Sequence, residues 1–214
     1  MRTAGRGVNI LDRTTDRAID FGRAAIARMA QTLRASSSGT NSGSSGGLGL
    51  ISPCMKTVYI ETTVVSYLAA WPNRDPVTAA RQQATADWWN RVLPRLEGYV
   101  SPVVLDEIAR GDADAIRRRQ ERISSLQVLA VTPEVDGLAE AYFAALPIPE
   151  KARADAYHLA LATAHGMDYL VSWNLTHIVS GGIVRRLQEL NAARGVRTPV
   201  ICTPEQLMEP DYET

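Results

Sequence analysis

Three carboxylates and one amide, Glu61, Glu107, Asp155 and Asn174, are the side chains of this chain whose types and placement could do chemistry together. Glu61 ends a short run of strand formers, Thr57-Val58-Tyr59-Ile60, and is followed by two hydroxyls, Thr62 and Thr63, and an apolar stretch with helical spacing. Glu107 lies on a helix opened by Ser101-Pro102, beside the face that Leu105 and Ile108 mark as buried; its neighbour Asp106 points about 100° away. Asp155 stands near the start of an alanine-rich helix, with His158 three residues on. Asn174 ends an apolar strand, and His177 follows it by three residues. Brought to one edge, such oxygens suit a hard divalent cation such as Mg²⁺ or Mn²⁺. Without an ion, three clustered acids would repel one another and raise their pKa values. Each residue alone also has a plainer reading: Thr62 or Thr63 caps a helix while Glu61 is merely solvated, and Asp155 is neutralised by Arg153 or His158.

Whether the four groups meet depends on the elements that carry them. Apolar runs predict strands over 57–60, 99–100, 127–131, 168–173 and 200–203. Helical patterns predict helices over 64–71, 77–96, 103–108, 114–126, 134–146, 151–167 and 182–193. Asp75-Pro76, Ser101-Pro102 and Thr132-Pro133 each pair an N-cap residue with a proline at the first helical position. Strands alternating with helices imply a parallel sheet with right-handed crossovers, an α/β fold. In such sheets ligands bind beyond the carboxyl ends of the strands, where Glu61 and Asn174 fall. Trp88 and Trp89 read as core packing and a partner surface. The run Arg117, Arg118, Arg119 and Arg122 reads first as a solvated helix face, although it is the densest basic patch of the folded part.

Composition narrows the setting. The 214 residues suit one domain with an appendage, and the formal net charge is zero. That balance hides an asymmetry: residues 1–54 hold seven Arg against three Asp, whereas residues 55–214 hold sixteen basic against twenty acidic side chains. An acidic domain that handles nucleic acid needs metal ions or a local basic patch to offset its own field. Cys54 and Cys202 lack metal-ligand spacing and fit reduced thiols in a cytoplasmic protein. No apolar run reaches membrane-spanning length, so no membrane partner is expected. Residues 1–35 carry one candidate basic helix or a non-native leader, and residues 36–54 are a Ser/Gly-rich flexible linker. Met55 would serve as a natural start.

The stretches VYIETTVVSYL, SPVVLDEIARGD, ARADAYHLALATAHGMDYLVSWN and TPEQLM resemble PIN-domain ribonucleases, and within them the VapC-like toxins of type II toxin–antitoxin systems. The resemblance covers about residues 55–207. It implies a PIN-like three-layer α/β/α fold over 55–214, with a central parallel sheet of four to five strands. It further implies Mg²⁺- or Mn²⁺-dependent cleavage of RNA, a cognate protein antitoxin, and a homodimer. By the same likeness, Glu61, Glu107 and Asp155 occupy the positions of metal-binding acids and Asn174 that of a fourth catalytic acid, with Thr62, Thr63, His158 and His177 in support. Two positions depart from the pattern. Glu61 stands where Asp is usual, one methylene longer, and Asn174 stands where Asp is frequent, without its charge.

Two other classes fit poorly. A dinucleotide-binding module needs a Gly-rich turn after the first strand, and here Glu61-Thr62-Thr63 would repel a pyrophosphate. A serine hydrolase needs a nucleophile elbow, and no G-x-S-x-G occurs. The remaining alternative is a non-catalytic PIN-like protein that binds RNA or a protein partner, a reading that Asn174 favours.

Overall fold

The computed structural model describes residues 55–208. The expectations for residues 1–35 and 36–54, and the last six residues of the expected domain, lie outside the described residues.

A short apolar strand, β1 (Thr57–Ile60), runs through the middle of the molecule. Its continuous TVYI sequence suits a parallel strand covered on both faces, and Val58, Tyr59 and Ile60 are fully buried. Around it stand β2 (Glu97–Val100), β3 (Gln127–Val128), β4 (Tyr169–Val171) and β5 (Val200–Cys202). All neighbouring pairs are parallel, in the order β3-β2-β1-β4-β5. The α/β fold with a five-stranded parallel sheet agrees with the sequence-based expectation. Only the lengths differ: the third strand is cut from five residues to two.

Seven α-helices fill the crossovers among the described residues: α1 (Thr62–Ala69), α2 (Pro76–Arg91), α3 (Pro102–Ile108), α4 (Ala113–Ile123), α5 (Pro133–Ala145), α6 (Arg153–Ala164) and α7 (Gly181–Ala193). Asp75, Ser101 and Thr132 each accept a first-turn N–H and are followed by proline, as their sequences predict. The helix expected over 77–96 stops at Arg91, because Pro94 turns its continuation into the 3-10 segment Leu93–Arg95. None of the described helices is long and apolar enough to cross a membrane.

From β1 the chain steps outward through β2 to β3, then returns across the sheet to β4 and β5. Right-handed crossovers therefore put α1 to α4 on one face and α5 to α7 on the other. The direction reverses between β1 and β4, which opens a crevice at their carboxyl ends. The alanines of α6 let it approach the sheet closely, and Ala156, Leu159, Ala160, Leu161 and Ala162 are all buried.

Gly98 of β2 sits opposite Val58 of β1. A Cβ there would lie 2.8 Å from Leu126 Cδ2 and 3.1 Å from Leu93 Cδ1. Gly98→Val is expected to destabilise the protein by about 1–3 kcal/mol, read as the shift of a urea unfolding midpoint. An unshifted midpoint would mean that both leucines yield freely.

Candidate active site

Glu61 caps α1 from the end of β1, at the crevice. Its backbone is extended, and its N–H donates to Val171 O of β4 at 3.1 Å. Its carboxylate is 3% exposed, so the reading of Glu61 as merely solvated is corrected: the residue is both cap and buried acid. Oε2 accepts three bonds, from Thr63 N at 3.0 Å, Thr63 Oγ1 at 2.5 Å and Ser172 Oγ at 2.8 Å. Oε1 accepts none among the described residues and stands 4.0 Å from His158 Nε2. Burial pushes the Glu61 carboxyl above the usual range, against the opposing pull of the His158 charge and the Thr63 and Ser172 bonds.

Glu107 comes to the same place from α3. Its Oε2 accepts from Thr62 Oγ1 and lies 3.0 Å from His158 Nε2. Burial works against its charge, but the His158 bond and charge, Thr62 and Arg110 outweigh it and hold the carboxyl below its ordinary value. Asp106, its neighbour, faces solvent and pairs with Arg110.

His158 is fully buried on α6, between the two glutamates and the core. Burial alone would depress the imidazole. The Glu107 bond, together with the charges of Glu61, Glu107 and Asp155, raises it above its ordinary range. Its other nitrogen, Nδ1, is 2.8 Å from the Tyr59 hydroxyl, which is 2.7 Å from Ser101 Oγ. Ser101 in turn accepts the Val104 N–H. A buried polar chain thus runs from the α3 cap to the carboxylates. Tyr59→Phe would leave Nδ1 and Ser101 Oγ short of a partner, and is expected to cost about 1–3 kcal/mol in chemical denaturation. A loss within experimental error would show that the chain contributes nothing.

The remaining sequence candidates form a second group. Asp155 Oδ2 is 2.9 Å from His177 Nδ1. The partner expected for it was Arg153, His158 or a metal; Arg153 instead pairs with Glu140 and Glu150. Asn174 stands at the end of β4, and its Oδ1 accepts from Thr176 N at 3.3 Å and His177 N at 3.0 Å. Its oxygen is engaged in the turn that carries His177 back toward Asp155. The Asn174 N–H donates to Ser172 Oγ at 2.8 Å, which ties this turn to the Glu61 carboxylate. Thr62 and Thr63 each hold one acid, Glu107 and Glu61 respectively.

Glu61, Glu107 and His158 each offer a ligand atom, all within 4.8 Å of one another. Two carboxylates that each commit Oε2 to the protein and keep Oε1 free, beside an imidazole nitrogen, fit a divalent cation by number, charge and donor type. Tyr59 and Ser172 escaped the sequence reading as site residues, and Ser101 was read only as a helix cap. Tyr59 did carry a signal, since a tyrosine in an otherwise apolar buried strand must find a partner for its hydroxyl. The arginine run is largely spent locally: Arg117 and Arg118 pair with Asp114, and Arg118 also donates to Ala69 O and lies 4.8 Å from the ring of Trp71.

The family model for the PIN domain matches residues 58–174. Among solved structures, the crystal structure of Mycobacterium tuberculosis VapC20, a toxin that cleaves the sarcin-ricin loop, is similar at 20% identity and a TM-score of 0.43. That match covers 53% of this chain and 87% of the other. No curated protein matches the chain.

Proposed function

Since the chain belongs to the PIN domain family, we propose that it is a metal-dependent endoribonuclease that hydrolyses RNA phosphodiester bonds. The observation that carries this reading is the convergence of Glu61 and Glu107, each with an unengaged oxygen, at the crevice where the sheet changes direction.

Mg²⁺ or Mn²⁺ bound there would neutralise phosphate charge and lower the pKa of an attacking water. The protein's part is positioning. Thr63 in the first turn of α1 and Ser172 beyond β4 fix Glu61, and Thr62 fixes Glu107. Preset carboxylates need no reorganisation when an ion and a phosphate arrive. Asp155 orients the His177 ring by accepting from Nδ1–H, which leaves Nε2 of the neutral ring as an acceptor. By the motif resemblance, we assign the protein as a cytoplasmic toxin, held in check by a cognate antitoxin and acting as a homodimer.

The test is cleavage of mixed RNA by the full chain with Mn²⁺, with Mg²⁺ and with EDTA, beside Asp155→Ala. Metal-dependent cleavage that the variant loses supports the reading. Cleavage that persists in EDTA, or RNA binding without any cleavage, overturns it. The second outcome would favour the non-catalytic binder, for which the uncharged Asn174 speaks. We also propose that the PIN-like domain lies within residues 55–214: a chain started at Met55 is expected to keep its thermal midpoint and its cleavage rate. A fall of several degrees would assign the leader a structural role.

A further inference from the structure

We propose that His158 is itself a metal ligand, and that the centre formed by Glu61, Glu107 and His158 Nε2 therefore takes borderline transition-metal ions such as Co²⁺ or Zn²⁺ in preference to Mg²⁺. The inference rests on the metal-dependent reading above and adds the class of ion. Three observations carry it.

The first is donor type. An imidazole nitrogen lies within 4.8 Å of both carboxylate ligand atoms. Nitrogen donors suit Co²⁺ and Zn²⁺, whereas Mg²⁺ demands oxygen. The second is the way the ring is held. Nδ1 faces the Tyr59 hydroxyl at 2.8 Å and that hydroxyl faces Ser101 Oγ at 2.7 Å, so a ring that ligates through Nε2 has an acceptor in place for its Nδ1–H. Nε2 is then the nitrogen directed at the carboxylates. A ligating histidine is typically fixed in this way, through a hydrogen bond on its far nitrogen. The third is the loose oxygen. Glu61 is almost wholly buried, yet its Oε1 has no partner among the described residues and points to within 4.0 Å of Nε2. An ion between Oε1 and Nε2 would take up the lone pairs that the protein leaves without a donor at the crevice. Without metal, the Nε2 proton serves instead, shared with Glu107 at 3.0 Å. On binding, the ion takes that proton's place and the proton leaves to solvent.

The experiment is pulsed EPR on the Mn²⁺-loaded full chain, read for ¹⁴N coupling, with calorimetric titration of Mn²⁺, Co²⁺ and Mg²⁺. Wild-type protein is expected to show one directly coordinated nitrogen and to bind Co²⁺ on the order of tenfold or more tighter than Mg²⁺. His158→Gln should lose the nitrogen signal and the preference. Tyr59→Phe, which keeps the shape of the strand residue, should keep the signal and weaken Co²⁺ binding by roughly 10–100-fold. Mn²⁺ bound without nitrogen coupling, or equal affinities for Co²⁺ and Mg²⁺, overturns the proposal. These readouts need no RNA. A nitrogen-coordinated ion in a protein that cuts no RNA would sink the nuclease reading and leave this one standing; Mg²⁺-dependent cleavage with no nitrogen signal would do the reverse.

Discussion

Glu61→Gln is expected to lower single-turnover RNA cleavage by about 10³-fold or more at saturating Mn²⁺, while the metal-free protein stays folded. The size follows from the role. Electrostatic stabilisation by a bound ion is worth several kcal/mol, and about 4 kcal/mol of barrier is about 10³ in rate. The structural neutrality follows from the contacts. Glutamine keeps one oxygen, which can still accept from Thr63 N, Thr63 Oγ1 and Ser172 Oγ. The amide nitrogen replaces Oε1, the atom that makes no bond inside the protein. Removing a charge that burial already disfavours should leave the thermal midpoint in EDTA level or higher. Cleavage within about tenfold of wild type, which is about 1.4 kcal/mol of barrier, would show that Glu61 does not act on the reacting groups.

His158→Ala is expected to be the most damaging substitution at the site in metal-free protein. It strips the cation from two glutamates, one of them almost wholly buried, and breaking such a pair costs about 3 kcal/mol or more. For a chain of this length that is roughly 6–12 °C in the thermal midpoint. The pH dependence gives a sharper check. The folded pKa of His158 is raised, so its contribution is fully present below the unfolded imidazole value and is lost as pH rises through the folded one. The Glu61 carboxyl is also raised, and its protonated form likewise favours the fold, so this contribution too falls away with rising pH. Glu107 is lowered, which makes its share present above the ordinary carboxylate range and lost as pH falls through its folded value. Wild-type protein in EDTA should therefore be most stable at mildly acidic pH and weaken toward alkaline pH. His158→Ala should lose most of that alkaline slope. An unchanged slope would mean that His158 is neutral in the fold at all these pH values.

The sheet was readable because the strands are short runs bounded by punctuation: Pro94 before β2, Thr132-Pro133 after β3, Gly166 before β4. What failed at the boundaries was local. Pro94 broke a helix that its apolar pattern would have continued, and β3 was trimmed because only two of its residues find partners on Val100's strand. At the site, residues beyond strand ends were the legible part, since topology alone sends Glu61 and Asn174 to the crevice. Side-chain pairing was not legible. Whether Asp155 meets His158, three residues on along its own helix, or His177, from a loop 22 residues away, depends on the Asn174 turn. Likewise Ser172 reads as an ordinary strand serine until Glu61 is brought beside it by the β1–β4 pairing.

That pairing also sets when the centre can exist. Glu61 is tied to Ser172 across 111 residues of chain, and the central strand β1 completes its second hydrogen-bonded side only when β4 arrives. Long-range parallel pairing forms late, because loop closure must precede its reward. A polypeptide emerging residue by residue has Glu61 and Glu107 long before it has His158 or Ser172. Until β4 docks, the two glutamates have neither their imidazole nor their serine. On the nuclease reading proposed above, the Glu61, Glu107 and His158 centre is assembled only when the chain is nearly finished.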